Sequence, residues 1–238
     1  MSSAPIQSPP SSATRDVPWN DVVLFVRQLS HDLRNHLNAI ELQSTFLSEL
    51  AEDAELKTEV RRLREMIYEI GAALQRLTGA MGQSTPHLMT YRAADFVDDL
   101  REKIAAERPK ESGCLDWKVQ LAEENLQLDP QLMQEAILEL FTNAFYHDRA
   151  EGNLAVHARV EGDCFVFELR EPKKSFAALT DNWGGQPLLK VGRGHYGLGL
   201  HRVRAIVENH QGQLQACYVS ATSSLHTRIT LPLQRNPA

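Results

Sequence analysis

The sequence predicts an α+β protein, with an N-terminal antiparallel helical hairpin followed by an α/β sandwich. Two observations predict this fold. Apolar residues recur at helical spacing through the first third of the chain, up to a stretch rich in Gly, Ser and Thr at residues 79–86. Beyond it, short alternating apolar runs are interspersed with helical patterns, which is typical of a mixed sheet with helices on one face.

The first helix is predicted over residues 16–50. Its apolar stripe consists of Val22, Val26, Leu29, Leu33, Leu37, Ile40 and Leu47. His31 lies about 170° from the middle of that stripe, so we expect an exposed histidine, with Asn35 one turn further along the same face. Leu24 and Leu42 flank this polar face. Exposed leucines beside a polar site indicate a docking surface.

The second helix carries a heptad seam that continues for more than three heptads. The seam consists of Leu56, Val60, Leu63, Ile67, Ile70, Leu74, Leu77 and Met81. One hairpin cannot cover both of its apolar stripes, so we expect a homodimer through residues 17–82 that completes a four-helix bundle. The alternative is a hairpin that packs on the rest of its own chain.

Composition narrows the functional classes. The formal net charge of −6 and the scattered Lys and Arg residues predict no nucleic-acid binding. Three widely separated cysteines support neither a disulfide framework nor a zinc site and suit a reducing cytoplasm. No apolar run approaches the roughly 20 residues of a membrane span, so we expect a cytoplasmic protein without a membrane segment. Residues 1–16, which begin with a Ser/Pro-rich stretch, are predicted to be a disordered tail.

The α/β sandwich is predicted to occupy the chain after the hairpin. Its strands are expected at residues 88–91, 115–121, 154–160, 164–169, 213–219 and 226–231. Its helices are expected around residues 96–104, 130–141 and 198–209. Asp129 and Pro130 are suited to the N-cap and the first position of the middle helix.

Two motifs in this second region favour phosphate chemistry. Glu139 and Asn143 are four residues apart on a helix, so they offer two side-chain oxygens to one point, as a hydrated Mg²⁺ requires. A solvated polar face is the alternative. Gly192–Leu200 is rich in glycine and runs into a helix, where close backbone approach and unpaired N–H groups suit a phosphate. An ordinary flexible turn is the alternative for this segment.

Three segments resemble the motifs of bacterial two-component sensor histidine kinases, in the family's order. Leu29–Ile40 is similar to the phosphoacceptor box, Glu139–Ala144 to the Asn-containing nucleotide box, and Gly194–Leu200 to the Gly-rich lid before a helix. The resemblance covers about residues 17–234.

This resemblance implies two domains. Residues 17–83 would form the dimerisation and histidine-phosphotransfer hairpin, and residues 84–238 an ATP-binding catalytic domain of the GHKL superfamily. On the hairpin, His31 would be phosphorylated, Asp32 would orient the imidazole and accept its proton, and Asn35 would position a water that dephosphorylates a partner. The implied partners are a second copy of the chain, a response-regulator receiver domain and an upstream sensor protein.

In the second domain, the resemblance implies ATP with Mg²⁺. Asn143 and Glu139 would hold the metal, and in the wider GHKL superfamily an acid at the position of Glu139 activates water. Tyr146 falls where the family lines the nucleotide. The other implied nucleotide-binding residues are His147, Glu171, Lys190, Gly194, Gly197, Leu198 and Gly199.

One segment departs from the family pattern. Where the family has an Asp-x-Gly-x-Gly box that reads adenine, this chain has Glu171, Pro172, Lys173, Lys174 and Ser175. The carboxylate is one methylene longer, both glycines are replaced, and Pro172 stiffens the segment.

Three functions are therefore compared. The leading hypothesis is a histidine kinase core that phosphorylates His31 from ATP and passes the phosphoryl group to a receiver aspartate. The alternative is a histidine phosphotransfer protein of the same fold with a decayed ATP site, which relays phosphoryl groups between response regulators. The second alternative is a non-catalytic dimeric scaffold that binds a regulator, which would not need His31, Asp32 and Asn35 on one face.

Overall fold

The computed structural model describes residues 17–82, 85–146, 149–176, 180–188 and 196–234. The tail predicted at residues 1–16 lies outside them. The chain divides into two compact units, the first ending at Gly79 and the second beginning at Ala80.

The first unit contains two long helices, α1 (Trp19–Leu50) and α2 (Ala54–Met81). A link of three residues joins them, which is short enough to make the helices antiparallel. Asp53 ends the link as a cap of α2, because its carboxylate accepts the N–H of Glu55 at 3.0 Å and its carbonyl accepts the N–H of Lys57 at 3.1 Å.

Burial along the hairpin follows two seams with a seven-residue repeat. The buried or half-buried seam consists of Val23, Ser30, Leu37, Ser44 and Ala51 on the α1 side and Val60, Ile67 and Leu74 on α2. The exposed apolar seam consists of Leu33, Ile40 and Leu47 on α1 and Leu56, Leu63 and Ile70 on α2. Much of the stripe predicted for α1 is therefore exposed.

The difference arises because two small serines occupy the inner seam of α1. Ser44 is buried, and its hydroxyl donates to the Glu41 carbonyl at 2.7 Å, so it needs no other partner. A stripe defined by the largest apolar side chains does not detect such positions. Leu33, Ile40 and Leu47 lie on a neighbouring face of α1. Nothing in the described part of a single chain covers them.

The second unit is a mixed five-stranded sheet, with a two-stranded sheet beside it. The large sheet has the order β2-β4-β5-β7-β6; β2 and β4 are parallel and the other neighbours are antiparallel. The strands are β1 (Met89–Arg92), β2 (Leu115–Gln120), β3 (Asn125–Leu128), β4 (Leu154–Glu161), β5 (Cys164–Pro172), β6 (Gln213–Val219) and β7 (Ser224–Pro232). The helices are α3 (Ala93–Glu107), α4 (Pro109–Ser112), α5 (Pro130–Tyr146) and α6 (Gly199–Asn209).

The core of this unit lies between one face of the large sheet and the helices α3, α5 and α6. Phe96, Phe141, Phe165 and Phe167 are among its largest fully buried side chains. Each contributes about 1.5–3 kcal/mol of burial free energy. Phe141 and Phe167 meet edge to face at 6.3 Å between ring centroids, which joins α5 to the centre of the sheet.

The N-cap predicted for α5 is present. The Asp129 carboxylate accepts the N–H groups of Gln131 and Leu132 at 3.1 Å each, and that of His87 at 3.0 Å. Burial opposes ionisation here, but these backbone hydrogen bonds hold the pKa of Asp129 below its usual value. The short strand β3, which pairs with β1, and the helix α4 were not predicted.

Candidate functional site

His31 lies on the exposed side of α1, as predicted. Its side chain is 67% exposed, and Nδ1 lies 3.3 Å from Asp32 Oδ1. Asn35, one turn along the helix, places Nδ2 3.4 Å from the same ring nitrogen. The structure thus brings together the three residues assigned to the phosphoacceptor site.

The contacts of Nδ1 indicate which nitrogen of His31 carries the proton. A carboxylate accepts hydrogen bonds and cannot donate them, so the contact with Asp32 requires the proton on Nδ1. With that proton in place, the Asn35 amide can accept from Nδ1 only through its oxygen, which requires a 180° rotation of the amide from the orientation in which Nδ2 faces the ring. In this tautomer Nε2 carries no proton and keeps its lone pair.

The Asp32 carboxylate is itself held by a residue that sequence reasoning missed. Gln28 Nε2 donates to Asp32 Oδ1 at 2.9 Å. Gln28 lies four residues before Asp32, and this spacing alone could have identified it. The amide restricts the carboxylate to the side of the helix on which His31 lies.

Glu139 and Asn143 share a half-buried face of α5. Asn143 Nδ2 lies 3.5 Å from Glu139 Oε1, so the two side chains converge as the spacing predicted. Glu139 also lies against the start of α6, where a β-carbon at Gly199 would overlap its carboxylate oxygen. The structure therefore joins the two predicted phosphate motifs at one place.

The start of α6 has the features of an anion site. Gly197 has a φ of +64°, a conformation that glycine adopts without strain. Leu198 is buried and has no polar side-chain atom with which to cap the helix, and among the described residues no side chain accepts the first N–H groups of α6. Glu139 is the acid beside them, and a cation between this carboxylate and a phosphate would reconcile the two negative groups.

Glu171 lies near the end of β5 and is buried. Its Oε2 lies 3.2 Å from Lys173 Nζ, and both side chains are more than 90% buried. Burial raises the pKa of Glu171, and the Lys173 ammonium offsets part of that effect. The carboxylate assigned to nucleotide recognition is thus occupied by a cation of its own chain. Residues i and i+2 of an extended segment share a face, a spacing that could have identified Lys173 as its partner.

Several predicted residues cannot be placed in this geometry. His147, Lys190 and Gly194 lie outside the described residues. Tyr146 is described and exposed, with its hydroxyl 3.3 Å from Glu111 Oε1. Within the described ranges, no three His, Cys, Asp or Glu side chains cluster as a metal site, so a metal at Glu139 and Asn143 would depend on phosphate oxygens and water.

Known proteins with a similar sequence are sensor histidine kinases. The sensor histidine kinase SpaK of Bacillus subtilis is 22% identical over 214 residues, which are 87% of this chain and 46% of SpaK. The sensor protein SphS of Synechococcus elongatus is 27% identical over 224 residues, 87% of this chain and 54% of SphS. The chain therefore spans about half the length of these curated relatives. No family model matches it.

The solved structure of full-length ShkA in complex with AMPPNP has the same fold. It superposes with a TM-score of 0.66 at 16% identity, over 90% of this chain and 46% of ShkA. The chain is related to the sensor histidine kinases. The resemblance drawn from the three motifs and the predicted α+β fold class are both confirmed.

This histidine kinase relative departs from the family pattern at the point where the structure places a buried ion pair. The motif residues on α1, α5 and α6 have the predicted local structure, whereas Lys173 stands where the family pattern has glycine and fills the space beside Glu171. None of the described helices has the length and apolarity needed to cross a bilayer.

Proposed function

We propose that the protein is the core of a cytoplasmic histidine kinase: it phosphorylates His31 from ATP and transfers the phosphoryl group to an aspartate of a response-regulator receiver domain. The observation that carries the proposal is the geometry of His31: Nδ1 faces Asp32, the side chain is 67% exposed, and no described residue forms a hydrogen bond with Nε2. A purely structural histidine would not need this arrangement at an exposed position of the helix.

The chemistry follows from the proton position. The Nε2 lone pair attacks the γ-phosphorus of ATP, an N–P bond forms, and the bond to the ADP oxygen breaks. Attack places positive charge on the ring, and the Asp32 carboxylate stabilises that charge through the Nδ1 proton. In the second step a receiver carboxylate oxygen attacks the same phosphorus, and the bond to Nε2 breaks.

The nucleotide is proposed to bind between α5 and the start of α6. The N–H groups at the start of α6, which no described side chain caps, suit phosphate oxygens, and Glu139 and Asn143 would hold Mg²⁺, which neutralises phosphate charge when bound. The ShkA structure contains AMPPNP, a fact that supports a nucleotide role for this fold. His147, Lys190 and Gly194 are proposed to complete the site.

The hairpin is proposed to form a four-helix bundle with a second copy. Its exposed seam carries six leucine or isoleucine side chains, defined above, at a repeat of seven residues. These side chains are 37–51% exposed in a single chain, so their burial in a dimer would contribute roughly half of the 1.5–3 kcal/mol that full burial of each provides. The seam runs along the hairpin that carries His31 on α1, so a dimer would present two His31 faces to receiver domains.

A second candidate is favoured by one observation. The buried Glu171–Lys173 ion pair occupies the position that the family pattern reserves for base recognition. If this pair excludes ATP, the protein is a phosphotransfer protein that receives its phosphoryl group on His31 from one receiver domain and passes it to another. The surface around His31 serves both functions equally.

One experiment separates these functions. The purified chain is incubated with γ-labelled ATP and Mg²⁺, and separately with receiver domains labelled through acetyl phosphate. His31→Ala is the inactive variant, and His36→Ala, which alters an exposed histidine of the same helix, is its matched control. Label from ATP that His31→Ala alone abolishes supports the kinase. Label from receiver domains only supports the phosphotransfer protein, and no label from either source contradicts both.

A variant that restores the family's box further distinguishes the kinase from the phosphotransfer protein. A triple variant, Glu171→Asp, Lys173→Gly and Ser175→Gly, removes the ion pair and recreates the family's box. ATP labelling that appears only in this variant assigns the loss of kinase activity to the buried pair. Equal labelling of the variant and the unaltered chain shows that the pair does not hinder ATP.

A further inference from the structure

His210 is a buried histidine that links the end of α6 to the start of α5. It is 2% exposed. Its Nδ1 lies 2.7 Å from the Ile206 carbonyl oxygen, and its Nε2 accepts the N–H of Asp129 at 2.9 Å. Asp129 is the N-cap of α5, so one side chain joins the two helix ends through backbone groups.

The chemistry of its partners determines the protonation of His210. A backbone N–H can only donate, so Nε2 is unprotonated, and a backbone carbonyl can only accept, so Nδ1 carries the proton. Both ring nitrogens are satisfied in this neutral form, as burial requires. The opposite tautomer would lose both hydrogen bonds at once.

The contacts between α5 and α6 show that the helices are antiparallel along their shared length. Asp129 and His210 meet at one end, and Arg202 Nη2 contacts Glu135 Oε2 at 2.6 Å in the middle. Glu139 lies against Gly199 at the other end. Residue numbers rise on one helix as they fall on the other, so a shift of α6 by one turn would separate all three contacts.

The three contacts differ in how well they can set this register. The Arg202–Glu135 pair joins long, partly exposed side chains, which adapt to small displacements. Glu139 reaches Gly199 with the end of a flexible side chain. His210 is rigid, is buried, and bonds to backbone atoms of both helices, so it tolerates the least displacement.

We propose that His210 is a positioning residue: in its neutral Nδ1–H form it sets the register of α6 against α5 and so holds the start of α6 beside Glu139. The proposal rests on the proposed function in one respect, that Glu139, Asn143 and the start of α6 bind the nucleotide. Its action is indirect, because α6 is about 16 Å long and His210 lies at the opposite end from Gly199.

The tautomer is tested on the unaltered chain. Long-range ¹H–¹⁵N correlation spectroscopy distinguishes Nδ1–H from Nε2–H imidazoles. The expected result is a protonated Nδ1 and an unprotonated Nε2 for His210. An Nε2–H or doubly protonated ring near pH 7 overturns the proposal, whether or not the protein binds nucleotide.

The positioning role is tested with two variants and a control. His210→Phe keeps a ring but removes both hydrogen bonds, whereas His210→Gln places an amide oxygen where Nε2 accepts from Asp129. His157→Gln, which alters a half-buried histidine of β4, is the matched control. We expect the backbone amide resonances of Gly197 and Gly199 to move in His210→Phe and to return toward their original positions in His210→Gln.

Nucleotide affinity provides the functional readout. We expect His210→Phe to weaken ATP binding about tenfold, and His210→Gln to stay within about threefold of the unaltered chain. Unchanged Gly197 and Gly199 resonances in a folded His210→Phe variant overturn the proposal. If the unaltered chain binds no ATP, the proposed nucleotide role fails, while the resonances and the tautomer still test the register. Should His210→Phe not fold, the test depends on the tautomer of the unaltered chain and on the Gly197 and Gly199 resonances of His210→Gln, which are expected near their original positions.

Discussion

The His31 face and the Glu171 region are built in opposite ways. His31, Asp32, Asn35 and Gln28 belong to one helix, contact one another within four residues of sequence, and are exposed. Glu171 is buried in the second unit beside Lys173, whose backbone is bonded to residues far along the chain. The Lys173 N–H donates to Ser223 O at 2.8 Å.

The geometry of the His31 face depends on local helical structure, whereas that of the Glu171 region depends on tertiary packing. The His31 face needs a continuous helix and little else, so its geometry survives changes elsewhere in the chain. The Glu171 region depends on the packing of β5, β6 and β7, and a change there alters stability together with any binding function. Substitutions should therefore affect chemistry without stability at the first site, and stability first at the second.

The largest expected effect is on chemistry at the His31 face. Asp32→Asn keeps the shape of the side chain but removes the charge that supports the imidazolium, so we expect phosphorylation of His31 to slow about 10³-fold from whichever donor is used. The measurement is the initial rate of His31 labelling.

A matched control and a stability measurement test whether the slower rate is due to the Asp32 charge alone. Asp21→Asn, an exposed acid in the first turn of the same helix, is the matched control and should leave the rate unchanged. Thermal unfolding of Asp32→Asn should match that of the unaltered chain. A rate within threefold of normal would mean that Asp32 does not act on the His31 proton.

The second prediction concerns stability in the Glu171 region. Lys173→Met leaves the Glu171 carboxylate buried without its cation, which lowers the free energy of unfolding by about 3 kcal/mol at pH 7. Burial raises the pKa of Glu171, so acid protonates this carboxyl group more readily in the folded chain than in the unfolded chain. A group of this kind contributes stability below its unfolded pKa and loses it as pH rises through the folded pKa. The loss of unfolding free energy in Lys173→Met should therefore become smaller as pH falls from 7 toward about 4.5.

Urea unfolding followed by circular dichroism checks this result. Lys174→Met replaces the exposed neighbouring lysine and should change the unfolding free energy by less than about 0.5 kcal/mol. Adding Glu171→Gln to Lys173→Met should recover most of the loss. Full stability of Lys173→Met at pH 7 would show that the ion pair is energetically neutral.

The same contrast explains what the sequence could predict. Periodicity identified both long helices and most elements of the sandwich, and the local spacing of His31, Asp32 and Asn35 was sufficient to place them together. The inner seam of α1 was mispredicted because Ser30 and Ser44 are polar by composition and buried by tertiary packing. The links from His210 to Asp129 and from Glu139 to Gly199 cross 81 and 60 residues of sequence, so no local pattern contains them.

The third prediction concerns the loss of stability of the second unit at low pH, which Glu168 is expected to control. Burial opposes ionisation of Glu168 on β5, but hydrogen bonds from Arg170 and Arg159 hold its pKa at about 2 rather than 4.5. A lowered pKa gives stability that is present above about pH 4.5 and is lost as pH falls toward 2. We expect a loss of about 2–3 kcal/mol in the second unit over this range.

Acid titration of unfolding with and without Glu168→Gln measures this contribution. The variant should be less stable at pH 7 and should show a flatter dependence on pH below 4.5. Glu151→Gln alters an exposed acid of the same unit and should keep the original slope. An unchanged slope in Glu168→Gln would mean that other carboxylates, among them Asp129, carry the acid sensitivity.

The smallest expected effect lies where the two phosphate motifs meet. A β-carbon in Gly199→Ala would overlap the end of the Glu139 side chain, which can swing away because it is flexible. We therefore expect a stability change below about 1 kcal/mol, partly offset by the better helix propensity of alanine. Displacement of Glu139 should nevertheless weaken ATP binding in the presence of Mg²⁺ about threefold, and less so in its absence.

Gly113→Ala, whose β-carbon would meet its nearest atom at 3.8 Å, is the matched control for isothermal calorimetry. If Gly199→Ala weakens ATP binding by the same factor with and without Mg²⁺, Glu139 has no part in holding the metal, and the start of α6 acts on the phosphates alone.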